Sequence, residues 1–91
     1  MGASQDKVLR VFLRDGRLTA IPARAAKRRI ILEYLVCAFE PGVQFAEREI
    51  DAVLRAFYET DWVTLRRLMI DEGLLDRRNG RYWRTGGPVD V

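Results

Sequence analysis

Three features of this 91-residue chain predict an α+β fold, a winged helix-turn-helix-like domain. Residues 61–84, DWVTLRRLMIDEGLLDRRNGRYWR, read as a short helix feeding straight into an arginine-rich hairpin closed at Asn79-Gly80. Two amphipathic helical patterns precede it, and a tight polar turn joins the second of them to the third helix. An apolar, β-branched run near the start is followed by a turn signal and a second short run, which reads as another hairpin. The expected architecture is three helices with an N-terminal β-hairpin and a C-terminal β-hairpin wing.

Taken in order, the elements are expected as follows. Residues 8–13, VLRVFL, have strand composition, Asp15-Gly16 supplies the turn, and residues 17–21 return antiparallel until Pro22 ends the strand. Residues 23–39 form the first helix, with Ile30, Ile31, Tyr34, Leu35 and Ala38 as its apolar face. Cys37 falls inside this pattern and is expected to be a small buried hydrophobe. Glu40-Pro41-Gly42 stops the helix, and residues 43–45 are just long enough for a brief strand. Residues 46–58 form the second helix on a stripe of Ile50, Val53, Leu54 and Phe57, with Glu47 and Glu49 favourably placed in its first turn. Thr60 or Asp61 caps the third helix, which sends Trp62, Leu65, Leu68 and Met69 inward. Gly73 lets that helix end, and Asn79-Gly80 is the strongest short signal for a two-residue hairpin. The domain is expected over residues 8–85, with residues 1–7 and 86–91 as flexible termini.

Composition narrows the function. The chain has no histidine, one cysteine, no glycine-rich phosphate loop and no metal-ligand spacing, so neither an enzyme nor a bound cofactor is expected. No apolar run approaches the roughly 18 residues of a membrane span, no signal peptide is visible, and a cytoplasmic protein is expected. The net charge is only +3, yet it is segregated. Residues 24–29 carry four positive charges and no acid, and residues 76–84 carry four arginines against one aspartate. Residues 40–61 hold six acids against two arginines. Segregation of this kind steers a polyanion toward particular faces.

Double-stranded DNA is therefore the leading expected partner. In a helix-turn-helix pair the second helix offers its outward side chains to the major groove. Thr64 and Arg67 are the candidates for base contacts, and Arg66 for phosphate or for an internal acid such as Asp61 or Glu49. On the wing, Arg77, Arg78, Arg81 and Arg84 have the chemistry to reach the backbone. Arg24 and Arg28 extend the positive surface from the start of the first helix. Asp61, Glu47, Glu49 and Trp62 are read as structural. A lone module of this kind is expected to act as a homodimer or beside a partner regulatory protein. The alternative is a non-enzymatic protein-interaction or dimerisation domain on the same scaffold.

The chain also resembles a bacterial family, domain of unknown function 2087, over residues 10–84. The likeness rests on Ile21-Pro22 before the basic helix start, Glu47-x-Glu49-Ile50, Asp61 followed by Leu65-Arg66-Arg67, and the closing Arg78-x-Gly80-x-Tyr82. Where the family pattern commonly has asparagine, this chain has Asp51, so no hydrogen bond from an amide is implied there. The resemblance implies a winged-helix-like fold and a transcription-linked setting. It also implies a rival role for Arg66-Arg67 and Glu47/Glu49, as an ion-pair lattice inside a protein-contact module.

Overall fold

The computed structural model describes residues 3–88. It opens on a helix, α1 (Ala3–Phe12), where a strand is expected. The run VLRVF fits a helical stripe as well as a strand. Coiled into a helix, it packs Val8, Leu9 and Phe12 against the core and leaves Val11 63 % exposed. The turn at Asp15-Gly16 is present, but its strands are only two residues each, β1 (Leu13–Arg14) and β2 (Arg17–Leu18). Among the described residues there are thus four helices, not three, with the expected N-terminal hairpin shortened and displaced to the end of α1. Of the termini expected to be flexible, residues 1–2 and 89–91 lie outside the described residues.

The remaining elements follow the expected order. They are α2 (Ala25–Val36), β3 (Gln44–Ala46), α3 (Glu47–Phe57), α4 (Trp62–Asp71), β4 (Leu75–Arg78) and β5 (Arg81–Arg84). The brief strand joins the wing, giving an antiparallel sheet of order β3-β5-β4. This α+β arrangement, with hairpins at both ends of the helices, is consistent with a winged-helix-like topology.

The core gathers one stripe from each helix of the α2–α4 unit. Leu32, Leu35 and Val36 of α2, Ile50 and Leu54 of α3, and Leu65 and Met69 of α4 are fully buried. Nearly every position of α2 from Ile30 onward is apolar, so its sequence fixes no single face. The buried set runs through Ile31, Leu32, Leu35, Val36 and Phe39, whereas Tyr34 is 40 % exposed and Ala38 lies at the surface. Cys37 is exposed too, its thiol donating to the Glu33 carbonyl at 3.3 Å. Past Val36 the chain tightens into successive three-residue turns that bring Phe39 edge-on to Phe45, with ring centres 5.5 Å apart.

Local signals explain the boundaries. Asp61 accepts from the Thr64 amide at 3.2 Å and caps α4. Glu49 accepts from the Ala46 amide at 2.8 Å, which is half of a capping box, because alanine offers no reciprocal acceptor. At the end of α4, Gly73 takes φ +73° while Leu74 N–H bonds the Met69 carbonyl and Gly73 N–H that of Ile70, a Schellman motif. At the wing tip Asn79 and Gly80 both have positive φ, +54° and +75°, as a two-residue type I′ turn requires. An added Cβ at Gly80 would meet nothing within 4 Å, so the cost of a side chain there is conformational alone. Gly80→Ala is expected to destabilise the domain by about 1–2 kcal/mol. A urea titration should show a lower midpoint at unchanged slope; an unmoved midpoint would contradict the turn assignment.

Candidate nucleic-acid interface

Strand register sorts the arginines of the wing. Residues directly opposite in an antiparallel ladder share a sheet face, and faces alternate along the strand. Arg77 lies opposite Tyr82, which lies opposite Phe45, so these three face the helices. Arg78 and Ala46 lie opposite Arg81, and Asp76 and Gln44 opposite Trp83, so these six face away. The hairpin therefore presents two different basic surfaces, one on each side.

On the inner side, Tyr82 is 1 % exposed and its hydroxyl donates to Glu47 Oε1 at 2.7 Å. Arg77 Nη1 donates to the same hydroxyl oxygen at 3.4 Å. That bond, with a smaller contribution from Glu47, raises the Arg77 pKa from its already high ordinary value. Arg66 reaches the network from α4: it is bonded to Asp51 Oδ1 and lies 3.9 Å from Glu47 Oε1, with its side chain only 15 % exposed. Arg66, Arg67, Ile70, Asp71 and Arg77 together line a shallow depression between α4 and β4. Within it Arg67 is exposed and makes no ion pair with an acid among the described residues.

On the outer side, Gln44, Arg78, Asn79, Arg81 and Trp83 line a second shallow depression at the wing tip. Arg78 and Arg81 are exposed, and among the described residues neither pairs with an acid. Like charges directly opposite in a ladder are destabilising, and Asp76, on the same face two positions before Arg78, makes no ion pair with either arginine among the described residues.

Four expected contact residues are committed elsewhere. Arg66 is held by Asp51 and Glu47, acids of α3, and not by Asp61 or Glu49. Arg28 donates to the carbonyls of Pro22 and Ala23 and lies 3.9 Å from Glu72, too far for a hydrogen bond. Its neighbour Arg29, unremarked in the sequence, donates to the Glu72 carbonyl at 2.7 Å and ties α2 to the end of α4. Arg84 is spent on backbone, donating to the carbonyls of Phe39 at 3.2 Å, Gly86 at 2.9 Å and Pro88. The Thr64 hydroxyl donates to Asp61, and this bond, then the Thr64 amide, holds the Asp61 carboxyl below its ordinary pKa. Arg24 remains exposed at the start of α2.

Asp61 and Glu49 cap helices, Glu47 sits between Tyr82 and Arg66, and Trp62 is half-buried under the guanidinium of Arg55, 4.3 Å from its ring centre. Among the described residues no group of histidine, cysteine, aspartate or glutamate is arranged to hold a metal ion, and no helix is long and apolar enough to cross a membrane.

Comparison with curated proteins and with solved structures returns no match. The sequence profile of the DUF2087 family, described as an uncharacterized protein conserved in bacteria, matches residues 17–84, from β2 to the last residue of β5, and the chain belongs to that family.

Proposed function

We propose that this domain binds duplex DNA as a non-catalytic, winged-helix-like module of a cytoplasmic regulator, with the wing as its main backbone contact. One observation carries this reading: Arg78 and Arg81 stand opposite each other at an exposed tip, and neither makes an ion pair with an acid, Asp76 of the same face included, among the described residues. Such a pair is a cost to the isolated fold and a benefit only when an external anion sits against it. Arg67 and Arg77, on the inner side of the same hairpin, add positive charge beside the outward face of α4. In this reading α4 lies toward the major groove and Arg67 is its contact residue, while the Thr64 hydroxyl is taken up by the Asp61 cap. Covering two half-sites would take a symmetric homodimer or a partner regulatory protein.

The alternative, a protein-interaction or dimerisation module, also has a specific support. Arg67 is the cation of α4 that makes no ion pair among the described residues, and Val63, one turn before it, is 38 % exposed. A recognition helix with one free cation and an exposed valine suits an apolar protein contact as well as a base methyl group.

A duplex-DNA titration at two salt concentrations separates the two readings. Wild-type affinity is expected to fall steeply with salt, and Arg81→Ala to reduce the slope of log K against log salt by about 1. Arg67→Ala is expected to weaken binding as well. Absence of binding would remove DNA as the partner and leave the protein-contact reading, and indifference to both substitutions would sink the proposed surface.

A further inference from the structure

The wing has a counterpart at the other end of the chain. Residues 13–18 read Leu-Arg-Asp-Gly-Arg-Leu and residues 77–82 read Arg-Arg-Asn-Gly-Arg-Tyr, so an Arg-[Asp/Asn]-Gly-Arg tip occurs twice. The two turns share one backbone geometry. Asp15 and Gly16 have φ +53° and +76°, and Asn79 and Gly80 have +54° and +75°. In each, the arginines flanking the turn are directly paired, Arg14 with Arg17 and Arg78 with Arg81. The next pair inward faces the protein: Leu18 is buried with Leu13 half-buried in the first hairpin, and Tyr82 is buried beside Arg77 in the wing.

The bases of the hairpins match as well. Thr19, just after β2, donates its amide and its hydroxyl to the Phe12 carbonyl just before β1, at 2.8 and 3.1 Å. Thr85, just after β5, donates its amide to the Leu74 carbonyl and its hydroxyl to that of Gly73, at 2.9 and 2.8 Å. Each hairpin is thus closed at its root by a threonine and capped by two exposed arginines. Arg14 and Arg17, like the wing pair, make no ion pair with an acid among the described residues.

We infer that the first hairpin is a second phosphate-binding fork, acting with the wing on one duplex backbone. Two guanidinium groups projecting from Cα atoms about 5.5 Å apart converge naturally on a phosphodiester. The forks sit at opposite ends of α3. The wing pairs through Arg81 with Ala46, immediately before α3, while Arg17 shares a shallow depression with Ala52, Arg55 and Ala56 toward its other end. At 1.5 Å per helical residue the positions on α3 that the two hairpins lie against are about 9–15 Å apart, less than half of one duplex turn of about 34 Å. Between them α3 carries exposed Arg48 flanked by exposed Glu47 and Glu49. Two acids oppose the first fork, Glu59 in the same depression and Asp15 in the turn itself, where the wing has neutral Asn79. The first fork is therefore the weaker of the two.

This inference rests on the nucleic-acid reading, and the test keeps the two apart. Labelled duplex DNA of random sequence is titrated with wild type, R78Q/R81Q, R14Q/R17Q and D15N across a salt series, with circular dichroism confirming the fold of each variant. R14Q/R17Q is expected to weaken binding and to reduce the salt slope by about 2, as R78Q/R81Q does. Asp15→Asn keeps a residue that tolerates positive φ and removes the opposing charge, so it is expected to tighten binding roughly threefold at low salt. Loss of binding in the wing variant alone, with the other two equal to wild type, overturns the second fork and leaves the function standing. Loss with R14Q/R17Q alone supports the fork and removes the wing. No binding by wild type overturns both.

Discussion

Replacing Tyr82 with alanine is expected to cost about 3–5 kcal/mol, a large part of the stability of a domain this size. Tyr82 is the central residue of the three-stranded sheet: its strand pairs with β3 on one side and β4 on the other, and the ring is 1 % exposed. Truncation removes the ring from the core and leaves a cavity where sheet and helices meet. Tyr82→Phe separates ring from hydroxyl. It leaves the packing intact and loses the bonds to Glu47 and Arg77, but Glu47 is half-exposed and water can replace its partner. The expected cost is about 0.5–1.5 kcal/mol. Equilibrium urea unfolding measures both, and equal losses for the two variants would show that the hydroxyl, not the ring, holds the wing in place.

Arg66→Ala is expected to destabilise the fold by about 1–3 kcal/mol while leaving the salt dependence of DNA binding unchanged. Arg66 and Asp51 are 15 % and 23 % exposed, so the pair is largely but not wholly screened from water, and the cost falls below that of a fully buried pair. Removing the arginine strands Asp51 against α4 and deprives Glu47 of a neighbouring cation. Arg66→Met keeps the packing of the stem and should recover part of the loss. A double-mutant cycle with Asp51→Ala is expected to return a coupling of about 0.5–3 kcal/mol. Unchanged stability together with a shallower salt slope would move Arg66 out of the fold's interior and back among the DNA contacts.

These two residues also show which parts of the structure were legible in the sequence. Turn and cap chemistry was, because it acts between neighbours: Asn79-Gly80, Gly73 and Asp61 sit where the chain says they should. The stripe of α3 was legible too, since Ile50, Val53, Leu54 and Phe57 are set off by charged residues on every other side. The first helix was not, because residues 8–12 satisfy both periods and only packing against α2 decides between them. On α2 a nearly continuous apolar run left the buried face open until Phe39 and its neighbours found partners. Among the candidate contacts, exposure was harder to read than charge. Arg66 meets an acid fifteen positions back, on the preceding helix, and Arg84 meets backbone carbonyls, which no pattern of side chains announces. Among the described residues, the arginines beside the two turns make no ion pair, and neither does Arg67 in the middle of α4.

The threonine at the root of the wing has a consequence for how the hairpin can vary. Because Thr85 returns to the carbonyls of Gly73 and Leu74, the two ends of the hairpin meet at its base, and the entropy of closing that loop is settled there. That entropy grows only with the logarithm of loop length, about 0.6 kcal/mol for each doubling. Residues added between Arg78 and Arg81 would lengthen the reach of the tip while leaving Tyr82 and the core below it undisturbed. Reach and fold stability are in this way set by different ends of the same hairpin.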